Sequence, residues 1–309
     1  MPILKKQKKT PAEIGFMIGM MAIPVLHFVV FWLFINVDSV FLSFQKYNMT
    51  TGEWEWAGFD NYYALYVQFT KPESVLPRAL LNSFTVFLWN DFVIIPISLF
   101  FAYILYKKLP GGDAFKVIFF LPSIISVVVL TLAYSYIFNK AIPDIFNALG
   151  LADKLSWYGF FGDPKTAWWM VLWYGLWTGI GGNIVLISGS MARIPTEVLE
   201  AGKIDGLSMM KELWYVVIPL IGSTIGTLLL MGTAVIFTYF LQPKLLLGDR
   251  AEAVGGFTIA LYIVNNVRDN GTVQMAQGAT IGVLCALIGT PIVVLSRKLI
   301  DKFFPVYEY

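Results

Sequence analysis

The chain has 309 residues, of which 57% are hydrophobic and only 14% charged. A soluble domain covers its surface with about 25% charged residues, so much of this surface must face something other than water. The net charge of +2 gives no footprint for nucleic acid, and a single histidine (His27) and a single cysteine (Cys285) exclude an internal disulfide and leave little to hold zinc, haem or an iron–sulfur cluster.

In chain order, Lys5, Lys6, Lys8 and Lys9 precede an apolar stretch from Ile14 to Ile35. A signal peptide has an apolar core of roughly 7–15 residues and a small-residue cleavage site. This stretch is longer and has no such site, so it is expected to be a signal anchor and first span. A spanning helix needs about 20 predominantly apolar residues. Six segments qualify: about 14–36, 82–106, 116–138, 167–190, 214–240 and 274–296. The predicted fold is all-α: a polytopic membrane protein with one transmembrane domain over residues 1–309. Asp91, beside Asn90, falls inside the second span. Intramembrane carboxylates are costly and mark a pathway or a partner, such as a cation on a companion subunit. His27 in the first span reads as a hydrogen-bonded packing residue.

Lysine and arginine cluster close to helix ends on one side: the N-terminal lysines, Lys107, Lys108, Lys116, Arg193, Lys203, Lys211, Arg297, Lys298 and Lys302. The opposite side carries fewer, among them Lys46, Lys140, Lys154 and Lys244, diluted over the long loops 37–81, 139–166 and 241–273. The positive-inside bias then places both termini and the loop 191–213 in the cytoplasm. Trp54, Trp56, Trp157, Trp168 and Trp169 flank the outer span ends, as an interfacial aromatic belt does.

The loop 191–213 is too long for a simple turn between spans. Pro195 can begin a helix, and Glu197 and Glu200 sit where the helix dipole favours negative charge. Val198, Leu199 and Ala201 give it an apolar side, Gly202 lets another backbone approach, and Asp205-Gly206 closes it through a left-handed residue. A second segment, Ser208 to Trp214, leads into the next span. A short helix with an apolar side unsuited to water docks into a groove on another protein.

Glu200-Ala201, the gap to Asp205-Gly206, then Trp214 and Ile218-Pro219 resemble the EAA loop of permease subunits in binding-protein-dependent ABC importers. Gly58-Phe59-Asp60-Asn61-Tyr62, Asn82-Ser83, and Phe115-Lys116 followed by Leu121-Pro122 resemble further motifs of carbohydrate permeases, in order. The most similar type is the larger permease of maltose and multiple-sugar importers. One family feature is absent: Leu246-Leu247-Gly248-Asp249-Arg250 stands where Gly-Gly-Pro is expected. The resemblance implies a type I ABC importer permease fold in the bacterial inner membrane. It implies a coupling helix that carries Glu197, Glu200, Ala201, Gly202, Asp205 and Gly206. It also implies four kinds of partner: a second homologous permease, two ATPase subunits that bind ATP and Mg, an extracytoplasmic solute-binding protein, and a carbohydrate solute, with an oligosaccharide favoured. The chain itself is expected to hold no cofactor and to catalyse no bond chemistry.

Gly175, Gly179 and Gly182 share one face of the fourth span at i, i+4, i+7. Such a face serves either tight helix packing or a roomy, solute-facing wall. By resemblance, the sugar-contacting positions of the maltose permease fall near Gly175, Thr178, Gly179, Gly182, Gly232, Ile236 and Tyr239. Only Gly179 keeps its residue type, which implies a solute other than maltose. Trp177, Thr178, Asn183, Tyr239 and Gln242 are the nearby groups that could stack on or hydrogen-bond to a sugar, although Thr178 and Asn183 could equally bond to a neighbouring helix. The chain has no Gly-x-x-x-x-Gly-Lys-Ser/Thr phosphate loop, Gly-x-Ser-x-Gly elbow or His-Glu-x-x-His motif. ATP hydrolysis would have to be recruited. The alternative is a secondary transporter or channel that works without an ATPase.

Overall fold

The computed structural model describes residues 10–107, 111–151 and 159–304. Lys5, Lys6, Lys8, Lys9, Lys108, Lys154 and Trp157 lie outside the described residues. Helix α1 spans Pro11–Ser43. A hairpin follows, β1 (Gln45–Asn48) antiparallel to β2 (Glu53–Trp56), with Gln45 opposite Trp56 and Asn48 opposite Glu53. Next come α2 (Asp60–Thr70), α3 (Leu76–Tyr106), α4 (Gly112–Ile124), α5 (Val127–Ala148) and α6 (Gly159–Gly162). The long α7 (Ala167–Met191) precedes α8 (Thr196–Ile204), α9 (Met209–Leu220) and α10 (Gly222–Val235). The chain ends in α11 (Leu241–Leu247), α12 (Ile259–Asn270) and α13 (Thr272–Phe303). Apart from the hairpin, every described element is helical.

Among the described residues, α1, α3, α7 and α13 are each long and apolar enough to cross a membrane. The pairs α4–α5 and α9–α10 also qualify if each bent pair counts as one crossing. The predicted third span, 116–138, is therefore not one straight helix: it bends by 105° between Ile124 and Val127. Pro122 removes a backbone donor and crowds the preceding turn, and Ile125 and Ser126 are extended before the helix restarts. The predicted fifth span, 214–240, bends by 76° at Ile221 and ends at Val235. The other spans run longer than expected. Thr10 and Glu13 form a capping box at the start of α1, a signal that was present in the sequence.

Within α3, α5 and α9 lie π-helical stretches, Asn90–Ile94, Ile137–Ala141 and Leu213–Val217. Each ends just before an Ile-Pro pair: Pro96, Pro143 or Pro219. A wider turn relieves the clash between a proline ring and the carbonyl four residues back, so these helices continue through their prolines.

Two apolar clusters divide the bundle. At the hairpin end, Leu76, Val86, Tyr134, Val171, Leu247, Phe257 and Leu261 pack together. At the opposite end, Ile95, Tyr103, Ile187, Met191, Leu199, Val217 and Ile225 do the same. Helices α3 and α7 run through both clusters and against each other. Gly181 is where α7 meets α4: a Cβ there would stand 2.1 Å from the Phe119 carbonyl oxygen. In contrast, the apolar window of α1 has none of its residues buried. Its outward Phe, Ile, Met and Val side chains suit hydrocarbon or another apolar helix.

Candidate translocation wall and coupling loop

The loop between α7 and α9 folds as its residues dictate. Pro195 caps α8 from the non-helical side, and Glu197 lies in the first turn. Gly206 adopts φ +71°, and Leu207 and Gly206 N–H groups donate to the carbonyls of Gly202 and Lys203 at 3.0 and 3.1 Å. This is a Schellman closure. It explains Gly202 differently from the expectation: what packs there is the Leu207 side chain of the same loop, 3.2 Å from where a Cβ would be, rather than another backbone. Leu199 is buried in the bundle, while Glu197, Val198, Glu200, Ala201, Lys203 and Asp205 face outward. Ile204 is 86% exposed, the most open large apolar side chain of this loop, with Val198 and Ala201 also facing outward.

The loop is tied back to the bundle at three points. The Tyr103 hydroxyl of α3 donates to the Met209 carbonyl at 2.9 Å. Lys107, just past α3, is paired with the buried carboxylate of Glu212. Ser190 of α7 shares a hydrogen bond with Thr224 of α10 and accepts another from Arg193 at 3.0 Å.

The residues expected along the pathway divide into three groups. Gly175 lies against the Tyr239 hydroxyl, 3.4 Å from where a Cβ would be. Trp177 is 41% exposed and stacks on Tyr134, ring centroids 6.0 Å apart. Gly182 has open space beside it, and Asn183 and Gln242 are half-buried. These positions are all at least partly exposed, although Trp177 points to a different side of α7 from Gly175 and Gly182. Thr178, in contrast, donates to its own helix at the Tyr174 carbonyl, 3.0 Å away, and to no neighbouring helix.

The second group is packed. Gly179 faces Ile94, and Gly232 faces Asp91, whose Oδ1 would be 1.8 Å from a Cβ at position 232. The Asp91 carboxylate is buried inside this chain and accepts from Asn90 Nδ2 at 3.0 Å. Within this chain, Asp91 fills the crossing of α3 and α10, where only glycine leaves it room. The third position, Ile236, is buried in a turn beyond α10 and borders an apolar cleft of about 520 Å³ with Phe84, Phe237 and Leu284.

The hairpin end shows what the other motifs do. Asn82 Nδ2 donates to the carbonyls of Gly255 and Phe257, both at 2.8 Å, and Ser83 Oγ accepts from Ile259 N–H at 2.9 Å. Asn61 Nδ2 donates to the carbonyls of Ser43 and Gln45 at 2.9 and 2.8 Å, and Tyr62 bonds to Ser43. Sequence reasoning identified both motifs but not their task. Each holds backbone at element ends or in the turn before α12, where regular hydrogen bonding runs out.

Residues 94–304 match the family described as the inner membrane component of binding-protein-dependent transport systems. The chain belongs to this family. The secondary-transporter alternative thereby loses its support. The chain is 25% identical to the arabinooligosaccharides transport system permease protein AraP of Bacillus subtilis, over 90% of this chain and 86% of the relative. It is 25% identical to the multiple sugar-binding transport system permease protein MsmF of Streptococcus mutans, over 91% and 93%. In fold it resembles a chain of a bacterial ABC transporter involved in the import of the acidic polysaccharide alginate, with a TM-score of 0.76 at 18% identity, over 93% of this chain and 96% of that one. A second structure, that of the alginate transporter in complex with an alginate pentasaccharide-bound periplasmic protein, matches with a TM-score of 0.77 at 16% identity, over 95% and 96%.

Proposed function

We propose that this chain is one of two homologous permease subunits of an ATP-driven importer that moves a carbohydrate, an oligosaccharide rather than a monosaccharide, across the inner membrane. Six crossings, with both termini and the loop 191–213 in the cytoplasm, agree with the basic residues around Lys107, Arg193 and Arg297. A solute-binding protein delivers the sugar at the hairpin end. Two ATPase subunits, which carry the ATP and Mg, bind at the loop end. The supporting relatives are named for oligosaccharide and multiple-sugar transport, and the similar alginate structure is bound to its periplasmic protein.

The observation that carries the reading is helix α8. It leaves the bundle between two membrane-length segments, is clipped to it by Leu199, and presents Glu197, Glu200, Ala201 and the exposed Ile204 outward. An apolar knob on a short rigid helix is what a groove on another protein recognises. ATPase closure would push α8, rotate the bundle and open the wall of Gly175, Trp177, Thr178, Gly182, Asn183, Tyr239 and Gln242 to the sugar. Gly179, Gly232 and Ile236 set the packing behind that wall. Aromatic faces and amides suit the apolar faces and hydroxyls of a saccharide.

Purification from the native host in a mild detergent tests the proposal. Co-purifying ATPase and second permease, with ATP hydrolysis stimulated by the binding protein, is the expected result. A chain that purifies alone and still transports solute on an ion gradient would overturn it.

A further inference from the structure

We propose that Lys107 and Tyr103 form a strut that carries the movement of the cytosolic loop into α3. It makes these two residues, with Glu212, positioning residues for transport. The proposal rests on the coupling role of α8 and adds the route by which its motion spreads.

The chain is covalently continuous from α8 into α9 and α10 and back into α7. Helix α3 is distant in sequence and has no such connection. Motion reaches it only through side-chain contacts. Leu199 and Leu213 supply apolar ones within the loop-end cluster. Apolar contacts slide at little cost, whereas a buried ion pair and a hydrogen bond to a backbone carbonyl have fixed partners and fixed directions. Both are found between α3 and the start of α9. The Tyr103 hydroxyl holds the Met209 carbonyl at 2.9 Å, and Lys107 holds Glu212. Tyr103 in α3 and Lys107, which caps its C-terminal end, are four apart, about one turn, and both reach the start of α9. Tyr103 is fully buried and Glu212 is 3% exposed, while the Lys107 side chain is 22% exposed, so water reaches the strut only at its lysine end. The Lys107 ammonium also lies 5.3 Å from the centre of the Tyr103 ring, which joins the two contacts into one unit.

The placement has a consequence for the sugar wall. Helix α3 carries Ile94 against Gly179 and Asp91 against Gly232. A displacement of α3 at its Lys107 end therefore reaches the packing behind that wall. Without the strut, α8 would still move α7 and α10 by covalent continuity, while α3, tied to α7 by packing and by Trp89 Nε1 donating to the Leu172 carbonyl at 2.9 Å nearer the hairpin end, would lag at its Lys107 end.

Distances between spin labels test this in the assembled transporter, with Cys285 replaced by serine. One label pair joins Phe100 of α3 to Leu287 of α13, and another joins Met231 of α10 to Leu287; all three positions are exposed. The probe is Mg-ATP trapped with vanadate, compared with nucleotide-free protein. In the parent, both distances are expected to change. In Lys107→Met and in Glu212→Gln, the α3 change should fall to less than half while the α10 change persists. The conservative Lys107→Arg should retain the parent response, and the exchanged pair K107E/E212K should restore it. Where Glu212→Gln fails to assemble, the more accessible partner decides, through Lys107→Met against Lys107→Arg. An α3 change that survives intact in Lys107→Met overturns the strut but leaves the coupling role standing. No change at either pair in the parent overturns the coupling role, and the strut with it.

Discussion

The two ends of the bundle are held in opposite ways. At the hairpin end, polar side chains reach across the chain to capture backbone: Asn82 holds Gly255 and Phe257, Asn61 holds Ser43 and Gln45, and Ser83 holds Ile259. The captured groups lie in the turn before α12 or at element ends, where Ser43 closes α1, Gln45 opens β1 and Ile259 opens α12 and regular hydrogen bonding runs out. At the loop end, the segment is already helical and has one such bracket, from the Tyr103 hydroxyl to the Met209 carbonyl. It is fastened by a few directed contacts on one side and leaves an apolar residue, Ile204, in the open on the other. One end is built to keep a shape. The other is built to hand over a surface.

This contrast can be broken at either end, and the largest effect is expected at the handing surface. Ile204→Glu should abolish ATP-driven uptake and ATPase retention while the melting temperature of the isolated permease stays unchanged, because the side chain touches nothing in its own chain that matters for folding. Uptake assays in proteoliposomes and thermal denaturation of the same preparation check it. Glu200→Lys should likewise suppress solute-stimulated ATP hydrolysis with folding intact. Behind the wall, Gly232→Ala should destabilise the permease by about 1–3 kcal/mol, since the new methyl meets the Asp91 carboxylate; a thermal shift assay reads this. Asn82→Ala should cost about 1–3 kcal/mol by orphaning two carbonyls, and faster proteolysis within residues 248–258 should accompany it. The smallest effect belongs to Gly182→Ala, within about 0.5 kcal/mol, because open space lies beside that glycine. A large loss there would place a helix where the structure has none.

The sequence made legible whatever follows from local composition. Apolar runs located α1, α3, α7 and α13, although the polar-flanked ends of α1, α3 and α13 extend well past the expected bounds, and Asp205-Gly206 located the closure of α8, because φ > 0 leaves few choices. The breaks in the third and fifth spans were hidden. Pro96, Pro122, Pro143 and Pro219 look alike in sequence, yet only some break a helix, and the others are absorbed by π turns. Which outcome occurs depends on tertiary packing. The glycines of α7 show the same limit. Period alone selected Gly175, Gly179 and Gly182, but the position pressed against a neighbouring backbone is Gly181. A helix offers several small-residue faces, and only the partner decides which is used. Asp91 belongs to the same class, since its burial against Gly232 joins positions far apart in sequence.

The central claim is that α8 meets an ATPase on the cytoplasmic side. With Cys285 replaced by serine, Ile204→Cys should form a disulfide to a cysteine placed in the ATPase groove of the assembled transporter. The same variant should also resist a membrane-impermeant maleimide applied from outside intact cells. Absence of that cross-link in a transporter that still couples ATP to uptake, or labelling of the introduced thiol from outside, would contradict the account.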